Sequence, residues 1–322
     1  MTFREGIGMN YKKEERAIDY RKKPRPVKLK DHSKWISECD EKLSERLSAI
    51  AEDISLDGEI KLLRLIGPTC SGKTTAAKLL KEKFLALGKH LHLVSIDDFY
   101  YDTDILKQMS QKKRSEKIDY DSPDTIDIEA LGRFVTEIFT DERSHCPIFD
   151  FNTGKRSGYR EFKCGKEDVF LFEGIQVLYP CVSEIFQNIG HPSVEIYIAP
   201  QSSISVGGCI FEPNEIRLMR RIVRDRNFRR TEADFTFHLW HSVRENEEKN
   251  IFPYVGGCKY SIDSTMPYEI GILKPYLKRA FEKLPEDSEY REEADRIMKK
   301  IEKVLPLPDD LIPENSLYKE FV

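Results

Sequence analysis

A glycine-rich loop between a short apolar run and a helical pattern constrains the fold of this chain most. Residues 61–66 predict a buried strand, residues 67–74 read Gly-Pro-Thr-Cys-Ser-Gly-Lys-Thr, and residues 74–87 predict a helix. Glycines let the backbone curl so that successive N–H groups point at phosphate oxygens, and the helix N-terminus adds partial positive charge. This context indicates a nucleotide-phosphate site, whereas the alternative is an ordinary glycine-containing turn.

The side chains of this loop suggest how a nucleotide is held. Lys73 is expected to reach the β- and γ-phosphates of ATP, and the Thr74 hydroxyl is expected to take a position at Mg²⁺. We assign nucleotide binding to the loop and the start of its helix, namely Gly67, Thr69, Ser71, Gly72, Lys73, Thr74 and Thr75.

The rest of the chain from residue 58 predicts an α/β protein with the P-loop NTPase fold. Short β-rich runs alternate with helical patterns, as in a parallel sheet with helices on both faces. The expected strands are residues 61–66, 90–96, 169–172, 194–199 and 259–262, and the expected helices include 74–87, 128–139 and 215–227. Residues 147–151 and 159–163 flank a Thr-Gly-Lys turn, which predicts an antiparallel hairpin beside the sheet.

The ends of the chain are interpreted as appendages of one large domain. Residues 1–57 are expected to form a basic arm and a leading amphipathic helix, 58–282 the P-loop kinase domain, and 283–322 a C-terminal helix with a proline-rich tail packed on it. A polybasic arm can contact RNA or an acidic partner, but a solvated tail is the favoured interpretation.

Composition narrows the class of protein further. A formal net charge of −4 offers no overall reason to expect a nucleic-acid or membrane-surface protein. The N-terminus lacks the apolar core of a signal peptide, and no apolar run is long enough to span a bilayer. Seven cysteines without a CxxC pair indicate a reduced, cytoplasmic protein. Whether the chain forms a homo-oligomer is left open.

Two carboxylates end predicted strands, where open α/β sheets place their ligands. Asp97 follows the run 90–96, and Glu173 follows the run 169–172. Asp97 is suited to accept the proton of an attacking hydroxyl, or to hold Mg²⁺ directly or through water, and Glu173 is suited to help hold the metal. The alternative for both is a helix N-cap or a solvated loop residue.

A run of arginines marks the predicted helix 215–227. Arg217, Arg220, Arg221 and Arg224 have the spacing of one helical face. Guanidinium groups this close repel one another unless anions lie nearby, so we interpret the helix, with Arg229 and Arg230 after it, as an arginine-rich lid over the phosphates. A solvated cationic face is the common alternative, and a nucleic-acid patch is a weaker one. Residues 202–213, before this helix, are expected to form a flexible loop.

With these residues placed, the chain resembles the uridine kinase and phosphoribulokinase family, most closely a bacterial uridine kinase-like branch. The similarity runs from about residue 59 to the C-terminus and rests on several short motifs in the same order. These are GPTCSGKTT (67–75), SIDDFY (95–100), YDSPDTID (120–127), FDFNTGKR (149–156), LFEG (171–174), RLMRRIVRD (217–225), EEKNIFPY (247–254) and the tail at 305–321.

The resemblance implies a role for each matching residue. Asp97 would be the catalytic base for a ribose 5′-hydroxyl, with Thr74 and Glu173 at Mg²⁺, while Lys73 and the lid residues Arg224 and Arg229 would neutralise phosphate charge. The acceptor nucleoside would be bound by Tyr100, Tyr120, Asp121, Phe149, Phe151 and Arg221, with Asp121 at the sugar hydroxyls. Core packing is an equal alternative for Phe149 and Phe151.

Two departures from the family pattern bear on the acceptor. Phe149 stands where pyrimidine kinases carry a tyrosine, and Gly154 stands where they carry a base-contacting histidine; each loss removes a hydrogen-bonding group. The leading hypothesis is a MgATP-dependent uridine or cytidine kinase, and the second is a kinase for another sugar or polyol. A third is a non-catalytic nucleotide-binding regulator, against which the chain has no Asn-Lys-x-Asp run for guanine.

Overall fold

The computed structural model of the protein describes residues 18–19, 29–112 and 122–322. Its strands are β1 (Ile18–Asp19), β2 (Leu62–Ile66), β3 (His90–Ser95), β4 (Arg143–Asp150), β5 (Lys155–Lys163), β6 (Asp168–Gly174), β7 (Ser193–Ala199), β8 (Ile204–Val206), β9 (Cys209–Phe211) and β10 (Tyr260–Asp263). Its α-helices are α1 (Leu29–Leu56), α2 (Lys73–Ala86), α3 (Thr103–Lys112), α4 (Ile128–Thr140), α5 (Pro180–Asn188), α6 (Pro213–Arg229), α7 (Ala233–Asn250), α8 (Glu269–Phe281) and α9 (Arg291–Ile301).

The central sheet has five parallel strands in the order β10-β7-β2-β6-β3. Every residue of β2 is buried, because both faces of the sheet are covered by helices. One core includes side chains of α1, α2, α6 and α8, and the other includes side chains of α4, α5 and β4. The α/β prediction is confirmed, and each expected strand and helix lies within a few residues of its predicted bounds.

The register of the sheet brings the predicted site elements to one edge. Ile66, the last residue before the glycine-rich loop, pairs with Gly174 of β6 and Tyr197 of β7. Ser95 of β3 pairs with Glu173 of β6. The loop, Glu173 and the residues that follow Ser95 therefore meet at the carboxyl edge of the sheet, which is where such folds bind ligands.

The predicted hairpin is formed by β4 and β5, which pair antiparallel beside the main sheet. The Phe149 N–H donates to Asp98 Oδ1 at 3.2 Å, and the Arg156 N–H donates to a carboxylate oxygen of Asp102 at 2.9 Å. The N–H of Thr103 donates to the carbonyl of Gly154 at 2.8 Å. These contacts fix the hairpin over the end of β3.

The expectation of a flexible loop over residues 202–213 is wrong. Strands β8 and β9 pair antiparallel there, and the backbone turns at Gly207 and Gly208, which have φ of 58° and 81°. Consecutive positive φ values are typical of two-residue hairpin turns. Each strand has only three residues, too few for a recognisable alternation in the sequence.

Helix α1 and the C-terminal segment pack on the same side of the sheet. Helix α1 contributes to the core that also contains Leu317, Tyr318 and Phe321 of the C-terminal segment. Of residues 1–28 the structure describes only β1, which pairs with β8, so the rest of the predicted basic arm lies outside the described residues. The proposed domain bounds at 57 and 282 remain predictions. In the described part of the chain, no helix is both long enough and apolar enough to cross a bilayer.

Candidate functional site

The glycine-rich loop joins β2 to α2 in a conformation that depends on two of its glycines. A Cβ at Gly67 would lie 2.2 Å from the carbonyl oxygen of Ile198, so the loop can start here only without a side chain. Gly72 has a φ of 90° and precedes α2, and Cys70 also has a positive φ of 57°. The resulting curl is the backbone form expected of a phosphate cradle.

Two polar side chains of the loop fit a bound phosphate. Lys73 Nζ donates to the carbonyl oxygens of Gly67 and Pro68 at 2.9 and 3.1 Å, which holds the ammonium group at the loop. Ser71 Oγ is buried and has no hydrogen-bond partner among the described residues. A buried hydroxyl left unpaired costs about 1–3 kcal/mol, so an oxygen-rich anion in the loop would stabilise it.

The two strand-end carboxylates share an electrostatic environment with Lys73. Burial raises the pKa of Asp97, which the hydrogen bond from Gln176 and the charge of Lys73 partly oppose. Burial likewise raises the pKa of Glu173, which Lys73 lowers and Asp97 raises. Both carboxylates line the same cavity as Lys73 and Thr74. The structure thus brings the two carboxylates and the loop to one cavity, while their roles at a metal or an acceptor stay predictions.

Gln176 is a site residue that the sequence analysis missed. Its Nε2 donates to Asp97 Oδ1 at 3.0 Å and to the hydroxyl oxygen of Tyr100 at 2.7 Å. The side chain is fully buried, and its Oε1 has no partner among the described residues. Gln176 therefore orients Asp97 toward the aromatic side of the cavity. Its only signal in the sequence is its place two residues after the LFEG motif.

Four arginines of the predicted lid line the cavity, and three of them share one carboxylate. Arg224 lies 2.7 Å from Asp225 Oδ1, Arg221 lies 3.3 Å from Oδ2, and Arg229 lies 3.7 Å from Oδ1. Together with Arg230 they line the same cavity as the loop residues Ser71 and Lys73. One carboxylate leaves an excess of positive charge, which suits a polyphosphate.

The prediction that Arg217 and Arg220 share this phosphate-facing surface is wrong. Both are buried beneath it: Arg217 binds Glu247 of α7 at 2.6 and 2.7 Å, and Arg220 binds Glu269 of α8. Neither lines the cavity formed by the described residues. The partner carboxylates come from later helices, which the periodicity of α6 alone could not reveal.

Part of the cavity is lined by aromatic side chains, one of which, Tyr100, shares the amide of Gln176 with Asp97. The rings of Tyr100, Phe149 and Phe151 lie 5.2–6.3 Å apart in edge-on arrangements. Phe149 is 8% exposed and belongs to the core as well, whereas Phe151 is 66% exposed, so core packing does not account for Phe151. The same cavity is also lined by Thr103, Asn152, Gly154, Ile175, Val243, Asn246 and Ile251. The whole cavity has a volume of about 1280 Å³.

Some predicted site residues do not line this cavity. Gly67 and Gly72 shape the loop, and Thr75 Oγ1 donates to Glu320 Oε2 at 3.3 Å. Tyr120 and Asp121 lie outside the described residues. Glu320, which does line the cavity, was missed because a carboxylate near the C-terminus carries no local sign of where the tail packs.

The oxygen ligands near the loop suit Mg²⁺ held together with phosphates. No cluster of three or more His, Cys, Asp or Glu side chains with metal-ligand geometry occurs among residues 29–112 and 122–322. Magnesium bound with substrate phosphates usually takes only one or two carboxylates and keeps several waters. Thr74, Asp97 and Glu173, which line one cavity, fit that mode.

The cavity combines a curled phosphate loop, an excess of arginine charge and the carboxylate of Asp97 beside aromatic side chains. This combination suits phosphoryl transfer between two bound molecules. Fold and site together define a P-loop phosphotransferase. The model of the Phosphoribulokinase / Uridine kinase family matches residues 62–265, and the chain belongs to this family. It is accordingly an ATP-dependent phosphotransferase with an alcohol acceptor, and its cofactors are ATP and Mg²⁺.

Curated relatives are similar to about half of this chain. A uridine kinase from Clostridium botulinum (strain Kyoto / Type A2) is 27% identical over 183 residues, which cover 56% of this chain and 77% of the relative. A uridine kinase from Schizosaccharomyces pombe is 29% identical over 173 residues, which cover 53% of this chain and 33% of the relative. Among solved structures, a D-glycerate 3-kinase from Cryptococcus neoformans is 17% identical and covers 63% of this chain and 83% of its own, with a TM-score of 0.43.

Proposed function

We propose that this chain is a nucleoside kinase that transfers the γ-phosphate of MgATP to the 5′-hydroxyl of a ribose, with uridine and cytidine as the first candidates. The observation that carries the proposal is the position of Asp97. It shares a cavity with Lys73 on one side, and it is joined through Gln176 to Tyr100 of the aromatic compartment on the other. The similarity to uridine kinases supports the choice of acceptor.

Asp97 is proposed as the general base. A carboxylate accepts a proton more readily as its pKa rises toward the working pH, and burial raises the pKa of Asp97. Gln176 donates to Asp97 Oδ1 and so holds the carboxylate in one orientation beside the aromatic compartment. Asp97 therefore has both the position and the basicity that the transfer needs.

The remaining charges of the site are proposed to hold the phosphates in line. MgATP supplies the transferable phosphoryl group when bound. Lys73, Arg224 and Arg229 surround the position where its charge develops, and fixed cationic donors in such a site stabilise the transition state more than the ground state. We propose that Thr74, Glu173 and Asp97 supply oxygen ligands to Mg²⁺. The residues of the glycine-rich loop are proposed to bind the phosphates.

Planar aromatic walls are proposed to bind the nucleoside. Tyr100, Phe149 and Phe151 give the cavity an aromatic lining that suits a flat ring, and Arg221 lines the same cavity. Tyr120 and Asp121 are proposed from the sequence alone as further acceptor contacts.

Free cysteines throughout the described residues support a reducing, cytoplasmic location.

A kinase for another sugar or polyol is the second candidate, and Gly154 favours it. Gly154 has a φ of 65°, and a Cβ there would lie 2.2 Å from Thr103 Oγ1. No side chain can project from this position unless Thr103 moves, so the base-reading group that the family pattern implies here has no room. Discrimination between similar acceptors depends on such buried polar groups.

A coupled ADP-release assay separates these candidates. We expect turnover with uridine or cytidine in the presence of MgATP. Turnover of a sugar or polyol, with none of any nucleoside, would reject the first proposal and support the second. ATP binding without turnover of either class would instead indicate a regulatory protein.

A further inference from the structure

The C-terminal segment, residues 316–321, packs directly against the phosphate loop. A Cβ on Gly72 would lie 2.2 Å from Leu317 Cδ1, and the side chains of Leu317, Tyr318 and Phe321 are fully buried. Ser316 Oγ accepts a hydrogen bond from the Tyr318 N–H at 3.2 Å and starts a short 3₁₀ turn. The segment is thus a fixed part of the wall behind the loop.

The same segment is tied to the arginine helix. Arg220 Nε donates to the Tyr318 hydroxyl at 3.0 Å, and Asn227 Nδ2 donates to the Phe321 carbonyl at 3.1 Å. Contacts on both α2 and α6 hold the backbone on either side of residue 320. A side chain at this position therefore has a defined direction relative to the loop.

Glu320 uses that position to place a carboxylate in the cavity. Its Oε2 accepts from Thr75 Oγ1 at 3.3 Å, and the residue lines the cavity together with Ser71, Lys73 and Arg224. An anion on the wall of a triphosphate site repels the phosphates. Although burial opposes it, the charge of Glu320 helps to raise the pKa of Arg224, so this guanidinium offsets part of the repulsion. A hydrogen-bond donor on the ligand would make the carboxylate a favourable contact.

The order of the loop residues indicates which part of ATP provides that donor. Lys73 reaches the β- and γ-phosphates, while the loop backbone and the start of the helix hold the α- and β-phosphates. Thr75 follows Lys73 and Thr74 into α2 and donates to Glu320, so the α-phosphate end of a bound triphosphate is the part expected nearest this carboxylate. The ribose hydroxyls are the nearest donors of ATP beyond that end.

We propose that Glu320 binds the donor nucleotide by accepting a hydrogen bond from a ribose hydroxyl of ATP, and that the C-terminal segment is part of the ATP site. The role is one of specificity: Glu320 favours ribonucleoside triphosphates over deoxy analogues and over bare polyphosphate. The inference rests on the use of ATP and does not depend on which acceptor is phosphorylated.

The test is a binding measurement without acceptor. Isothermal titration calorimetry would compare ATP, 2′-deoxyATP, 3′-deoxyATP and inorganic tripolyphosphate, each with Mg²⁺, on the wild type and on Glu320→Ala. We expect ATP affinity to fall roughly tenfold or more, the loss of a hydrogen bond to a charged group. Tripolyphosphate affinity should stay constant or rise, because a repulsive charge is gone. The variant should no longer distinguish ATP from at least one deoxy analogue.

Two further variants keep the result interpretable. Glu314→Ala removes a carboxylate of the same tail whose side chain is 96% exposed, and it should bind all four ligands like the wild type. Glu320→Gln keeps the size of the side chain and a neutral acceptor, so its affinity for ATP should be lower than that of the wild type, and this comparison does not need the alanine variant. Equal weakening of ATP and tripolyphosphate would show a purely structural role. Equal binding of ATP and both deoxy analogues by the wild type would also overturn the proposal.

The outcome is independent of the proposed nucleoside acceptor. Failure of the wild type to phosphorylate any nucleoside would leave the calorimetric comparison intact. A change in binding confined to Glu320 variants would support the inference even if the acceptor proves to be a polyol.

Discussion

Arg220 donates through Nη1 to the carbonyl oxygen of Cys70 at 3.3 Å, so the phosphate loop is held from the core side by a buried guanidinium. The same guanidinium binds Glu269 through Nε and Nη2 at 2.7 and 3.1 Å. Arg217 repeats the arrangement with the carbonyl of Thr69, also at 3.3 Å. These two contacts hold the two loop carbonyls on the core side. The side of the loop that faces the cavity is therefore left for a ligand.

Removal of Arg220 alone should destabilise the fold strongly. Arg220→Met leaves the Glu269 carboxylate buried without its partner, and breaking a buried pair in this way typically costs about 3–5 kcal/mol. The double variant Arg220→Met/Glu269→Gln should recover a large part of that loss. Urea unfolding measures both, and equal losses in the single and double variants would contradict the assigned ion pair.

Asp97→Asn should abolish most turnover while ATP still binds. Loss of a general base typically lowers the rate by about 10²- to 10⁴-fold, whereas the loop and arginines that hold the phosphates are unchanged. Single-turnover phosphorylation and calorimetry would give the two quantities separately. Asp98→Asn is the matched control, because Asp98 instead accepts from the Phe149 N–H. Unchanged turnover in Asp97→Asn would refute the proposed mechanism.

The acid limb of the pH–rate profile should report the environment of Asp97. The base acts only when ionised, and burial raises its pKa, so kcat/KM should begin to fall at a pH above the ordinary titration range of an aspartate. The hydrogen bond from Gln176 favours the ionised form. Gln176→Leu should therefore shift the acid limb to higher pH, and a shift to lower pH would contradict this reading of the pair.

Gly154→Ala should destabilise the hairpin end. The left-handed conformation alone costs a residue with a side chain about 1–2 kcal/mol, and contact with Thr103 Oγ1 adds to it. Gly158→Ala in β5 is the control, since nothing lies within 4 Å of a Cβ there. Urea unfolding should show a clear loss for the first variant and little for the second. Equal effects would mean that Thr103 does not restrict position 154.

Asp40 should make stability depend on pH. Burial raises its pKa to about 6, above the ordinary value of 3.8, while Ser316 and Tyr268 donate to it. The folded state therefore binds a proton more tightly than the unfolded chain, so this carboxyl stabilises the fold at low pH. Its contribution should be lost as the pH rises through the window from about 4 to 6.

Chemical unfolding at several pH values would test this dependence. Asp40→Asn should flatten the decrease of unfolding free energy over that window. Glu41→Gln, a change to the exposed neighbour, should leave the decrease in place. A wild-type stability that rises across the window would contradict the assignment.

Much of the fold could be read from local pattern. The buried runs around β2 and β6, the glycine-rich loop and the amphipathic helices each have a periodicity that spans enough residues to be recognised. The short strands β8 and β9 do not, which is why residues 202–213 were misassigned. The sequence patterns do not single out helices α7 and α8. They therefore do not predict Glu247 and Glu269, which bind Arg217 and Arg220 of the arginine helix.

The sequence by itself determined the phosphate loop, the strand-end carboxylates Asp97 and Glu173, and the family. These features depend on spacing within a short segment, where the backbone geometry of a strand, a turn or a helix fixes what neighbours what. Only the tertiary structure decided which arginines face the cavity, that Glu320 lines it, and that the buried Gln176 holds Asp97 from behind. Those facts depend on contacts between segments far apart in the chain, and helical periodicity specifies a face without specifying what packs against it.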